Sequence, residues 1–132
     1  MNKEQDGVLE FHKKFGAFVR SKPDVPDDSI LLLRSRLIME EAAEFVTAAS
    51  KRNIVGMADA LADLLYVVYG SGVSLGIDLE PVFAEVQRSN MTKEKSHDQG
   101  GKVLKGTSYS PPDILNELIK QGYNSDGKNK LG

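Results

Sequence analysis

The chain has 132 residues and a formal net charge of -2, enough length for one domain with a modest core, and its pI near 5.7 leaves no basic footprint for general nucleic-acid binding. The absence of cysteine excludes disulfides and thiolate metal sites and fits a reducing cytoplasm. Met1 to Glu10 carries no apolar signal core and no apolar run reaches membrane-spanning length, so the expectation is a soluble, cytoplasmic protein.

Helical periodicity runs through most of the chain. Val8, Leu9, Phe11, Phe15, Phe18 and Val19 predict a first amphipathic helix over about residues 3–20, ending before Pro23 and Pro26. A second helix is predicted over about 29–51, with Asp27, Asp28 or Ser29 as its cap. Asn53 and Gly56 mark a short break, and a third helix follows to about residue 75, where Gly76 ends it. The fourth starts near Asp78, with Pro81 in its first turn, and reaches Asn90. Residues of about 93–110 are polar and glycine-bearing, the texture of a loop that closes over a ligand. Pro111 and Pro112 open a short helix within about 112–121, with Ile114, Leu115, Leu118 and Ile119 as its apolar stripe. From about residue 122 the tail is rich in Gly, Asn and Lys, a composition that does not fold by itself.

No stretch sustains strand alternation and no repeat is present, so the fold class is all-α: one helical domain over 1–121 with its core in 29–95. Several helices are apolar nearly all round, and Gly70, Gly72 and Gly76 would let another helix approach closely. A homodimer, homotetramer or other helical assembly is expected.

Chemistry concentrates in five carboxylates. Glu40, Glu41 and Glu44 fall within an arc of roughly 100° on the second helix, and Asp59 and Asp63 share a face of the third. Like charges crowded among Leu37, Ile38, Phe45, Leu61, Leu64 and Leu65 need compensation. The surrounding apolar residues predict that both segments are buried and that their carboxylates face each other, with a divalent cation as the natural compensator. A solvated acidic face is the bland alternative.

Three further groups stand out less. Asn90 and Lys93 sit at a helix end, where both types are common. His12 reads as an interfacial histidine, and Arg34, two turns before Glu41, as its ion-pair partner. Tyr66 and Tyr69 read as core or interface residues whose hydroxyls need partners.

Leu37-Ile38-Met39-Glu40-Glu41-Ala42-Ala43-Glu44 followed by Asp59-Ala60-Leu61-Ala62-Asp63-Leu64-Leu65-Tyr66 resembles the MazG-like all-α nucleoside triphosphate pyrophosphohydrolases, a superfamily that includes dimeric dUTPases, dCTP pyrophosphatases and phosphoribosyl-ATP pyrophosphohydrolase. Asp63 to Gly70, Gly76 to Asp78, Val82 to Val86 and Asn90 to Lys93 continue the likeness in order. The resemblance implies a MazG-like bundle of four to five helices and magnesium-dependent (Mg2+) cleavage of a nucleotide between its α- and β-phosphates, with manganese (Mn2+) as a substitute metal. It implies Glu41, Glu44 and Asp63 as metal ligands and Glu40 as the group that orients or deprotonates water. Asn90, Lys93 and, in the following loop, Lys95, Lys102 and Lys105 become candidate contacts to substrate phosphates. The family signature is Glu-Glu-x-x-Glu, then Glu-x-x-Asp, and Ala60 stands at the second Glu. Asp59 preserves the carboxylate count from a rotated position, which favours a rearranged but active site. The alternatives are a metal-binding interaction module weakened in catalysis and an enzyme acting on phosphoribosyl-ATP.

Overall fold

The computed structural model describes residues 1–95, 100–101 and 103–126. Among the described residues the helices are α1 (Lys3–Phe15), α2 (Asp28–Ser50), α3 (Ile54–Leu75), α4 (Leu79–Asn90) and α5 (Ile114–Lys120). Among the described residues strand pairing is limited to one isolated antiparallel bridge, so the protein is all-α. Four helix starts have side-chain caps: Asn2, Asp27, Asn53 and Asp113 each accept a hydrogen bond from a backbone N–H of the first turn.

The chain divides into two compact units, Met1–Leu79 and Glu80–Gly132. In the first, α3 packs against both α1 and α2. The first helix is shorter than its apolar pattern predicts. Gly16 adopts φ 73° and closes it, and the chain beyond runs along the end of α3, where the Arg20 amide donates to the Val73 carbonyl (3.2 Å) and the Ser74 hydroxyl to the Phe18 carbonyl (3.0 Å). Gly76 is required at the end of α3 for two reasons: its φ is 72°, and a Cβ there would collide with the Lys22 carbonyl.

Polar side chains tie the three helices together. Gln5 on α1 is 1% exposed; its amide donates to the Ile77 carbonyl (2.7 Å) and its carbonyl accepts from the Leu79 amide (3.0 Å). Arg34 on α2 donates to the Val67 carbonyl (2.9 Å) and the Ser71 hydroxyl (3.1 Å), both on α3. The expected Arg34–Glu41 ion pair is therefore replaced by neutral acceptors on the next helix. His12 is buried inside the unit, with Nδ1 3.0 Å from the Phe18 carbonyl. Burial pushes its pKa below the usual histidine value, the Phe18 contact opposes this, and Arg34 adds to the lowering. Gly70 and Gly72, expected to admit another helix backbone, instead admit these side chains. A Cβ on Gly70 would collide with the Arg34 guanidinium and lie 3.0 Å from His12 Nε2, and one on Gly72 would lie 2.9 Å from the Gln5 amide.

Little apolar surface is covered. Val8, Ala60 and Val73 are the buried apolar residues among those described, whereas α2 and α3 were expected to be largely buried. The apolar pattern exceeds what three helices can cover. At 22 residues α3 is also long and apolar enough, by length and composition alone, to cross a membrane, contrary to the expectation that no run reaches that length.

In the second unit, Arg88 on α4 donates to Glu85 (2.7 Å), the Ser110 hydroxyl (3.0 Å) and the Pro111 carbonyl (3.1 Å). Glu85 also accepts from the Asp113 amide (2.7 Å), and Arg88 with this amide holds the Glu85 carboxyl at about 2. Within the expected loop, Glu94 and Leu104 exchange backbone hydrogen bonds (2.7 and 2.8 Å). Residues 96–99, Lys102 and the tail from 127 lie outside the described residues.

Gly70→Ala should lower the unfolding free energy by about 1–3 kcal/mol, since buried groups of Arg34 and His12 must move. Gly7→Ala, in an α1 position with open space around it, should be stabilising by up to about 1 kcal/mol. Chemical denaturation of the two variants checks the contrast.

Candidate metal centre

Glu41 and Glu44 are three residues apart on α2 and share a face, while Asp63 comes from the adjoining face of α3. Each offers one carboxylate oxygen such that the three atoms lie within 4.8 Å of one another. Glu41 is half-buried and Glu44 is exposed. Glu41 Oε2 is buried and has no hydrogen-bond partner among the described residues. Its carboxyl is pushed above the usual range by desolvation first, then by a hydrogen bond with Glu44 and by the charges of Glu44, Asp63 and Glu40.

A hard divalent cation fits this donor set. Oxygens bound to one such ion at about 2.0–2.6 Å lie no more than about 5 Å apart. The Glu41 oxygen that lacks a donor among the described residues would be satisfied by coordination to such a cation.

The other predicted site residues lie elsewhere. Glu40 is exposed on α2 and acts on Glu41 through its charge. Asp59 is outside the cluster of three; it lines a neighbouring cavity of about 390 Å³ together with Glu44 and Ala60. The Ala60 side chain is 3% exposed. Asn90, Lys93 and Lys105 belong to the second unit. Asn90 closes α4 and its carbonyl accepts from the Lys93 amide (3.1 Å), while Lys105 Nζ stands 5.2 Å from the centre of the Tyr109 ring.

Two features escaped the sequence reading. Tyr66 and Tyr69, with Ala62 and Leu65 on α3 and Glu4 and Val8 on α1, line an apolar cavity of about 510 Å³. Their spacing on one face was visible in the sequence; that Glu4 and Val8 of α1 line the same cavity was not. The second is the wall of the polar cavity formed by Lys51 and Asn53, two ordinary turn residues until the helices converge.

Residues 8–90, more than half of the chain, match the model of the phosphoribosyl-ATP pyrophosphohydrolase family. The chain belongs to this family. The match takes in all three clustered carboxylates and ends at Asn90. Uncharacterized protein L479 of Acanthamoeba polyphaga mimivirus is 37% identical over 123 residues, covering 89% of this chain. The chain spans about half the length of that curated relative, 49% of it.

Because the folded pKa of Glu41 is raised above its ordinary value of 4.5, the metal-free protein binds more protons than its unfolded chain in that window. It should therefore lose stability as pH rises from about 4.5 upward. Glu41→Gln should raise the Tm of the metal-free protein at pH 7 and flatten this dependence, while abolishing the Tm gain from added magnesium. Thermal unfolding with and without magnesium, across pH, tests both parts.

Proposed function

We propose that this member of the phosphoribosyl-ATP pyrophosphohydrolase family is a magnesium-dependent nucleotide pyrophosphohydrolase, with manganese as a substitute metal. Water adds across the α–β phosphoanhydride of a nucleoside triphosphate, giving the nucleoside monophosphate and pyrophosphate. The observation that carries this reading is the cluster of Glu41, Glu44 and Asp63 with its unpartnered Glu41 oxygen.

Glu41, Glu44 and Asp63 would hold the ion, which would supply charge neutralisation for the phosphates and a more acidic bound water. We assign Glu40, exposed on α2, to taking the proton of the attacking water. Asp59 is one helical turn before Asp63 and adds negative charge at the edge of the site. Asn90, Lys93 and Lys105 are assigned to the substrate phosphates by their order along the chain, and their cationic or amide groups suit that role. The apolar cavity bearing Tyr66 and Tyr69 suits a nucleobase. House-cleaning of the nucleotide pool in the cytoplasm is the physiological role that fits such a reaction.

We also propose that the working form is a homodimer or homotetramer. Leu32, Met39 and Val46 recur every seven residues on α2 and are 60%, 70% and 66% exposed. A heptad stripe of this kind is the seam along which a second helix packs. A second copy of the chain would cover it.

The decisive assay presents deoxynucleoside and ribonucleoside triphosphates, and phosphoribosyl-ATP, with magnesium, and resolves pyrophosphate from orthophosphate. Pyrophosphate should be released by the wild type and should fall at least a hundredfold in Glu44→Gln and Asp63→Asn. Absence of product from every compound would favour the interaction-module reading, which the buried Ala60 at the position of a family Glu supports. For the assembly, Met39→Lys should shift the mass measured by light scattering toward the monomer while leaving helix content unchanged.

A further inference from the structure

We propose that Arg88 is a positioning residue: its guanidinium, gripping Glu85 and the chain at Ser110 and Pro111, holds the segment after α4 in the register that sets Lys93 across from Lys105. This rests on the pyrophosphohydrolase reading above, in which both lysines meet the substrate phosphates. Glu94 and Leu104 exchange both of their backbone hydrogen bonds (2.7 and 2.8 Å) as an antiparallel bridge. In that register the residue before Glu94 stands opposite the residue after Leu104. Opposed side chains of an antiparallel pair share one face, and like charges so placed repel. The two lysines therefore do not hold their own arrangement, and one isolated bridge is too little to hold it for them.

The holding contacts come from the end of α4. Arg88 Nε and Nη2 donate to the two carboxylate oxygens of Glu85 (2.7 and 3.0 Å), Nη1 donates to the Ser110 hydroxyl (3.0 Å), and Nη2 also donates to the Pro111 carbonyl (3.1 Å). Glu85 accepts in turn from the Asp113 amide (2.7 Å). Thr92 closes the same junction: its hydroxyl donates to the Ser89 carbonyl (2.7 Å) and accepts from the Ser110 amide (2.8 Å). The side chain of Glu94 lies where a Cβ on Gly106 would have to go, so glycine there lets the two sides of the bridge close together. Three residues apart on one helix, Arg88 and Glu85 alone would be an ordinary surface pair. What sets this pair apart is where the other donors of the guanidinium go, to acceptors 22 and 23 residues further along the chain.

Only arginine makes these contacts together. Its planar fork supplies N–H donors in fixed directions, whereas a lysine ammonium is a compact point charge that cannot reach all of these acceptors at once. The Glu85 carboxyl, held at about 2, stays ionised through the neutral range, so the grip is not lost there. Arg88 itself is assigned no phosphate. Its Nε, Nη1 and Nη2 groups all donate within the protein, and its effect on the substrate passes through Lys93 and Lys105.

The test compares the wild type with Arg88→Lys, with Lys93→Gln and Lys105→Gln combined, and with all three changes together. The readouts are nucleotide hydrolysis kinetics with magnesium and, by NMR, hydrogen exchange of the Glu94 and Leu104 amides. Arg88→Lys should raise KM about tenfold or more while lowering kcat less, with little change in Tm because an ion pair on a helix surface contributes little. Exchange at both amides should speed up by about tenfold or more. The combined lysine variant should raise KM as well, and adding Arg88→Lys to it should do nothing further, since a residue acting through the lysines then has nothing left to position. Unchanged KM in Arg88→Lys, a fully multiplicative effect in the triple variant, or unchanged exchange at both amides would overturn the proposal. If the wild type releases pyrophosphate and Arg88→Lys matches it in KM, the positioning role fails and the enzymatic reading stands. If no nucleotide is hydrolysed, yet exchange at both amides depends on Arg88, the placement of the lysines stands and the reading fails.

Discussion

The register of α2 against α3 depends on Arg34. Its guanidinium reaches across to the Val67 carbonyl and the Ser71 hydroxyl, fixing one helix against the other at a point two turns from Glu41. Neutral acceptors satisfy it, and burial lowers its pKa from the ordinary arginine value. A guanidinium tolerates this because it remains charged across the physiological range. Gly70 is the complement of the interaction, since any side chain there would occupy the guanidinium's place. Shifting α3 by one residue would turn Asp63 by about 100° away from Glu41 and Glu44.

That register brings together groups that repel one another. Glu41 is surrounded by Glu44, Asp63 and Glu40, and one of its oxygens is buried without a donor. Nothing in the fold of the first unit requires this concentration of negative charge. The helices are held by Gln5, His12, Arg34 and Ser74, all buried and all on the side of α3 that carries Val67 to Ile77. Cohesion and charge crowding are thus separated along α3, with the buried polar contacts on its C-terminal half and Asp63, which joins the acidic cluster, before them. Such separation lets the acidic end vary without loss of the fold, and Ala60, where a family member has Glu, is one such variation.

The apolar surface follows a different logic. Leu32, Met39 and Val46 are exposed in heptad spacing on α2, and Ile54, Leu61 and Leu65 are exposed on α3. Isolated exposed apolar residues are ordinary, but a periodic set on two neighbouring helices is not. A chain with few fully buried apolar residues gains stability by covering such faces, which is the physical basis of the proposed assembly.

Much of this was legible in the sequence. The cap at Asp27, the break at Asn53, the prolines before α5, the glycine stop at Gly76 and the 3.6-residue apolar period are local signals, and the five helices follow from them because helix ends and faces depend on residues within one or two turns. The spacing of Glu41 and Glu44 likewise placed them on one face. What tertiary structure decided is everything that depends on which helix lies opposite. Arg34 pairs with carbonyl and hydroxyl oxygens of α3 instead of Glu41, Gly70 and Gly72 receive side chains rather than a helix backbone, and the residues after Gly16 hydrogen-bond to the end of α3. Asp63 joins Glu41 and Glu44 while Asp59 does not. These are contacts between residues far apart in the chain, and their geometry is set by helix packing, which periodicity along a single helix does not encode.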